Sequence, residues 1–220
     1  MKHPIPDGDI LIHSGDFMNT GMSLLELDIF LTWFKSLPHK VKIVCCGNHD
    51  KYLELKDSKA GVLIPQGVKQ FFQFEPWTKV PDKSHANIMP HVGAFTVGGI
   101  KFYHMPYTLP FMDWGFMRTE KQIERECLRI PDDIDILVSH GPAWGFMDQI
   151  DKDGIHLGCK SLLPVLARCT PKFFIHGHIH GSYGVQKFNR KTTIVNCSIC
   201  NENYEPVNEP IVIKFREVSK

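Results

Sequence analysis

What the chain lacks bounds it first. Its longest apolar runs, such as Ile134 to Val138 with Asp135 inside it, fall far short of the roughly 18 residues a membrane span needs. The opening Met1-Lys2-His3-Pro4 carries no apolar stretch of signal-peptide length. There is no charge of one sign to spare: 25 Lys and Arg against 24 Asp and Glu give a formal net charge of +1, dispersed along the chain. That balance offers no footprint for a long nucleic acid. Seven cysteines is an odd number, and Cys45 and Cys46 are adjacent, so no disulfide framework is implied. No repeat or low-complexity tract breaks the 220 residues. The expectation is one cytoplasmic globular domain spanning residues 1–220, with no membrane partner.

What is present alternates between strand and helix. Ile10-Leu11-Ile12-His13 is a short apolar run that delivers Ser14-Gly15-Asp16, and Val41 to Cys46 repeats the pattern before Gly47-Asn48-His49-Asp50. Between them Ser23 and Glu26 read as a capping box. It opens a helix with Leu24, Leu27, Phe30, Leu31 and Phe34 at helical spacing, and Pro38 stops it. Phe71 to Phe74 reads as a small strand or core patch. Gly98-Gly99 between Ala94–Val97 and Ile100–Tyr103 is a hairpin signal. A helix is expected from Thr119 to Leu128, capped by Thr119 and Gln122, and another from Lys160 to Arg168. Strands at Ile134–Val138 and Phe173–Ile175 end in Ser139-His140-Gly141 and His176-Gly177-His178-Ile179-His180, and the tail adds strands at Thr192–Cys197 and Ile211–Phe215.

Four apolar strands thus end in loops rich in Asp, Asn, His and Gly. Core packing has no use for His-x-His beside Gly, so Asp16, Asn48, His49, His140, His178 and His180 read as functional. His176, just inside its loop, reads as a packed strand-end residue, and the single Cys197-x-x-Cys200 pair as core thiols. A carboxylate such as Asp16 can bridge two divalent ions about 3.5–4 Å apart, with a hydroxide between them facing a phosphorus. Imidazole and amide oxygen donors suit Mn, Fe, Zn or Ni. Trp114, Phe116, Trp144 and Phe146 are aromatic residues suited to lining a pocket for a nucleotide ester.

On these motifs, together with Asp9 to Phe17, Ile134 to Pro142 and Asn208-Glu209-Pro210-Ile211, the chain resembles the calcineurin-like metallophosphoesterases. Within that family it is most similar to the branch of metallophosphoesterase domain-containing phosphodiesterases. The resemblance implies an α/β fold: a layered αββα sandwich of mixed sheets flanked by helices. It implies two divalent transition metal ions. Asp16 would bridge them, with Asn48, His140 and His178 on the second and His180 on the first. It also gives His49 the leaving-group oxygen, with Asp50 orienting its ring.

The family opens with a strand ending in Asp-x-His that completes the first metal site, and Met1 to Pro6 contains no such motif. The expectation is a first strand missing and a first site incomplete. Of the nearby His3, Asp7, Asp9 and His13, Asp9 lies roughly 20 Å from Asp16 along an extended chain. The function expected is a metal-dependent phosphodiester hydrolase acting on a small phosphodiester or nucleotide, with cyclic nucleotides as one class. The alternatives are a weak or inactive nucleotide-binding regulatory relative, and a phosphomonoesterase or protein phosphatase.

Overall fold

In the computed structural model, residues 3–57, 79–80, 86–88, 92–151 and 154–215 are described. Their order is β1 Ile10–His13, α1 Leu24–Ser36, β2 Val41–Val44, α2 Lys51–Asp57, β3 Lys79–Val80, β4 Ala86–Ile88, β5 Gly93–Val97, β6 Ile100–Met105, α3 Glu120–Cys127, β7 Ile136–Ser139, α4 Leu162–Cys169, β8 Phe173–His176, β9 Gly184–Lys187 and β10 Thr193–Asn196. The Phe71–Phe74 reading lies outside the described residues.

The strands form two sheets, ordered β1-β2-β4 and β3-β5-β6-β7-β8-β10-β9. β1 runs parallel to β2, and β6, β7, β8 and β10 are mutually parallel neighbours. A parallel set presents its C-terminal ends along one edge, which is why loops distant in sequence meet there. The sheets face each other over Val41, Ile43 and Cys45 on one side and Phe102, Ile136, Val138, Ile175 and Val195 on the other. α1 covers the outer face of the smaller sheet through Leu27, Phe30, Leu31 and Phe34. α3 and α4 cover the outer face of the larger one through Ile123, Cys127, Leu162, Val165 and Leu166. This is the expected α/β layering of sheets flanked by helices, with the larger sheet mixed and the smaller one parallel throughout its described strands.

Local chemistry explains most element ends. Gly98 and Gly99 both take positive φ, 53° and 79°, as a two-residue turn between antiparallel β5 and β6 requires. Gln122 Oε1 accepts from Thr119 N at 2.9 Å and closes the start of α3. At α1 the expected capping box is only half made. Ser23 Oγ accepts from Glu26 N at 3.3 Å, but the Glu26 carboxylate accepts from Asn19 N and Thr20 N at 3.1 and 3.2 Å. Glu26 therefore ties the helix to the loop after Asp16, a longer reach than a cap. Leu24 points outward, 43% exposed.

The tail differs from expectation as well. Residues 211–215 form no ladder with any described strand, although Ile211, Ile213 and Phe215 pack on the inter-sheet core and Val212 points out. Their alternation is that of a strand, but no strand among the described residues pairs with them.

Candidate metal centre

Four strand ends build the site. β1 delivers Asp16, β2 delivers Asn48 and His49, β7 delivers His140, and the loop after β8 delivers His178 and His180. Ligand atoms of Asp16, His140 and His178 all lie within 4.8 Å of one another, as a shared ion requires. Asp16 and His178 both sit in the left-handed region, at φ 59° and 66°, a backbone choice that non-glycine residues seldom hold without reason.

The loops are locked by backbone donors around one buried carboxylate. Asp50 is fully buried and accepts from Gly47 N at 2.7 Å, Asp16 N at 2.9 Å, Met18 N at 3.0 Å and Phe17 N at 3.1 Å. It pins the β1 loop to the β2 loop. Gly47 must be glycine at this junction, because a Cβ there would fall 2.5 Å from His140 Cε1 and 2.7 Å from Asp16 N.

This geometry corrects the expected role of Asp50. Both of its oxygens are taken by main-chain N–H groups. The His49 ring is oriented instead through Nδ1, which donates to the Asn19 carbonyl at 2.8 Å. Since Glu26 holds the Asn19 and Thr20 amides, the helix α1 carboxylate sets that carbonyl's position. His49 also stacks on Trp114, with ring centres 4.1 Å apart.

His140 supplies the strongest indication of a cation. Its buried Nδ1 donates to the Ser14 carbonyl at 2.7 Å, which leaves Nε2 facing Asn48 Oδ1 at 3.0 Å and Asp16 Oδ2 at 3.1 Å. A neutral ring would set a lone pair against two oxygens there. A proton or a metal ion at that point satisfies all three atoms. Burial works against the charged His140 ring, but the neighbouring Asp16 carboxylate outweighs it and the pKa rises. Burial would also raise Asp16, and His140 outweighs it to hold the carboxyl well below the usual range. His178, by contrast, is pushed down to about 3 by burial and then by His140, so its ring stays neutral and free to ligate. The residues present therefore fit a divalent ion with mixed nitrogen and oxygen donors.

The remaining expected residues are placed as follows. Asn48 is buried beside His140, and its own carbonyl accepts from Gly115 N at 2.9 Å. His180 stands outside the cluster of three, with Nδ1 donating to the Asn201 carbonyl at 2.9 Å. None of His3, Asp7, Asp9 and His13 joins that cluster. His13 turns to the helix side, 5.2 Å from the Phe30 ring, and burial lowers it to about 4. His3 Nε2 donates to the Val207 carbonyl at 3.1 Å. His176 is wholly buried in the sheet. Of the four aromatic residues considered for a pocket, Trp114 alone stacks on His49. Phe116 is core, Phe146 packs on Phe188, and Trp144 meets His156. Cys197 and Cys200 are free thiols, and Cys197 Sγ lies 3.1 Å from Ser14 Oγ.

Two further residues escaped sequence reading. Asn201 holds His180 through its carbonyl, while its side chain accepts from Asn203 N and Glu205 N at 3.0 and 2.9 Å. The turn it organises carries Tyr204 at φ 60° and 66% exposure, edge-on to the rings of both His180 and His49. The only signal was the Asn-Glu-Asn run itself, which marks a turn but not what the turn holds.

The site brings together side chains that could hold a metal ion, and comparison with known proteins gives the family. The family model described as calcineurin-like phosphoesterase matches residues 2–182. The chain belongs to the calcineurin-like phosphoesterase family. Human metallophosphoesterase domain-containing protein 1 is 38% identical over 220 residues, covering 95% of this chain and 65% of that protein. The chain thus spans 65% of that relative's length. A UPF0046 protein of Caenorhabditis elegans is 35% identical over 218 residues, covering 94% of this chain and 73% of its own. One crystal structure superposes with a TM-score of 0.54 at 17% identity, over 79% of this chain and 63% of that one, a likeness of fold. As a calcineurin-like phosphoesterase the chain has a hydrolase fold carrying a cluster suited to metal. Among the described residues no helix is long and apolar enough to cross a membrane.

Proposed function

We propose that the chain is a metal-dependent phosphodiester hydrolase acting on a small ester with an aromatic arm, cyclic nucleotides being the class that fits. The observation that carries the reading is the convergence of Asp16, Asn48 and His178 on His140 Nε2, with His49 fixed beside it. Divalent ions bound there, Mn, Fe, Zn or Ni by donor type, would supply Lewis-acid charge to the phosphoryl oxygens and a water of lowered pKa.

The chain's own residues would do the rest. Asp16, Asn48, His140 and His178 would hold one ion, and Asp16 and His180 would face the other. The His49 main-chain N–H donates to Asp16 Oδ1 at 2.8 Å, so the imidazole is held close to whatever Asp16 ligates. With Nδ1 given to Asn19, Nε2 is the ring atom left to donate a proton or hydrogen bond to the leaving oxygen. Trp114 and Tyr204 flank that imidazole and would offer a stacking surface to a base or aryl group. An aryl or nucleotide monoester would offer that surface an arm as well, so diester against monoester is decided by the test below.

One observation favours a second reading. His3 Nε2 is given to the Val207 carbonyl and the His13 ring packs on Phe30, so neither histidine of this segment is turned to the first ion. That supports a weakly active relative that binds nucleotide for regulation.

The test is hydrolysis of an aryl phosphodiester, 2′,3′- and 3′,5′-cyclic nucleotides and an aryl phosphomonoester, each with saturating Mn. Diester turnover lost in His49→Ala supports the proposal. A clear monoester preference overturns it, and tight nucleotide binding without turnover of any ester establishes the second reading instead.

A further inference from the structure

Two aromatic rings from separate loops converge on His49. Trp114 lies against the imidazole with ring centres 4.1 Å apart, and Tyr204 stands edge-on at 6.4 Å from it and 5.3 Å from His180. The rings of His140 and His178 meet each other, 5.0 Å apart. The Trp114 and Tyr204 pair therefore belongs to the His49 and His180 side of the centre.

Both loops are fixed in place. Around Trp114, the Glu54 carboxylate of α2 accepts from Phe116 N at 2.7 Å and from Arg118 Nη1 at 2.8 Å. Lys51 Nζ donates to the carbonyl and the carboxylate of Asp113 at 2.9 Å, and Gly115 N donates to the Asn48 carbonyl at 2.9 Å. Gly115 sits so close to α2 that a Cβ there would fall 2.7 Å from Lys51 Cα. Tyr204 is held on the turn that Asn201 organises, at φ 60°, and Phe116 takes φ 52°. Left-handed backbone at non-glycine residues is kept where the surroundings enforce it. Tyr204 nonetheless stays 66% exposed, so its surface is in place before any ligand arrives.

Displacement at phosphorus runs in line, with the attacking water and the leaving oxygen on opposite sides and the retained ester arm to the flank. His49 Nε2, the ring atom that Asn19 leaves free, faces the leaving oxygen under the proposed hydrolase function. What that oxygen carries continues past His49 towards Trp114 and Tyr204. Resting on that function, we infer that Trp114 and Tyr204 select the arm that departs: the substrate is a phosphodiester whose leaving alcohol bears a base or aryl ring. The water oxygen bonds to phosphorus as the P–O bond to that alcohol breaks. The electron pair stays on the alcohol oxygen, which takes a proton from His49 Nε2, and one proton of the water passes to solvent, from which the ring is recharged. The products are a nucleoside or phenol and the phosphomonoester of the other arm. In a cyclic nucleotide both ester oxygens belong to one nucleoside, so the base is on the leaving side whichever bond breaks. Glu54 is a positioning residue that acts through Trp114.

The experiment is the product ratio from thymidine 5′-methyl phosphate, read by phosphorus NMR with Mn present, beside tetrahydrofurfuryl methyl phosphate as a base-free counterpart. Thymidine with methyl phosphate is expected to exceed thymidine 5′-phosphate with methanol by about fivefold more than in the base-free pair, the size of one base–aromatic stack. Tyr204→Asn, which keeps a residue tolerant of left-handed backbone, should return the ratio to the base-free value. A ratio equal to the base-free one in the parent, or an excess of thymidine 5′-phosphate, overturns the inference while the hydrolase function stands. No hydrolysis of either diester overturns both. A second readout needs no turnover: in the metal-free protein, thymidine should shift the Tyr204 ring resonances and methyl phosphate should not. Resonances unmoved by thymidine at high concentration overturn the inference whatever the products.

Discussion

The main-chain N–H of His49 donates to Asp16 Oδ1 at 2.8 Å, joining the residue that would bridge metal to the residue that would meet the leaving group. The link joins the His49 backbone to the Asp16 carboxylate, so the spacing of the two functions depends on how the β1 and β2 loops are pinned as well as on the Asp16 rotamer. The predictions below follow from that pinning and from the convergence on His140.

Asp50→Asn replaces two acceptor oxygens with one, and its amide would face two of the four N–H groups that Asp50 now holds. Stability is expected to fall by about 2–5 kcal/mol. Urea unfolding checks it. A loss under about 0.5 kcal/mol, the scale of an ordinary surface substitution, would mean the carboxylate is not the pin.

Gly47→Ala places a methyl where His140 Cε1 and Asp16 N already stand. The expected outcome is a stability loss of about 1–3 kcal/mol together with weaker metal binding, since both ligands must move. Calorimetric titration with Mn, set beside thermal unfolding, reads both. Retained affinity would show that the loops relax without disturbing the ligands.

Glu26→Gln keeps the helix but weakens the charged acceptor of Asn19 N and Thr20 N. Because Asn19 O holds His49 Nδ1, diester turnover is expected to drop several-fold while Mn content is unchanged. A fall in Mn content would place the effect on the ligands instead.

Burial works to raise the Glu120 carboxyl, but hydrogen bonds from Ser161 Oγ at 2.6 Å, Ser161 N and Cys159 outweigh it and hold its pKa below the usual 4.5. A depressed carboxyl stabilises the fold above its unfolded pKa, and that contribution is lost as pH falls through the folded value. Glu120→Gln should therefore be less stable than the parent at neutral pH, and the gap should close below about pH 4.5. Urea midpoints across that range decide it. A gap independent of pH would assign the effect to packing.

Much of the site was legible because local sequence determines it. Short apolar runs ending in Gly-flanked Asp, Asn and His announce parallel strand ends, and parallel ends meet. The ties between elements were not legible. Glu26 looked like half of a cap because Ser23 stands three residues before it, and nothing local reveals that its carboxylate reaches Asn19. Asp50 follows His49 directly, which invited a side-chain contact, whereas the tight loop turns it inward to main-chain donors from two strands. Asn201 and His180 are 21 residues apart, and their bond depends on how the chain returns after β10. Residues 211–215 have the alternation of a strand, but a ladder also needs a neighbour, and no window of one sequence supplies that.

The most direct test is metal per chain by mass spectrometry after Mn loading and desalting, for the parent, His140→Ala and His178→Ala. The account predicts at least one bound ion in the parent and its loss in both variants, with circular dichroism unchanged. An ion retained in both variants, or none in the parent, would contradict the assignment of Asp16, His140 and His178 as a metal centre.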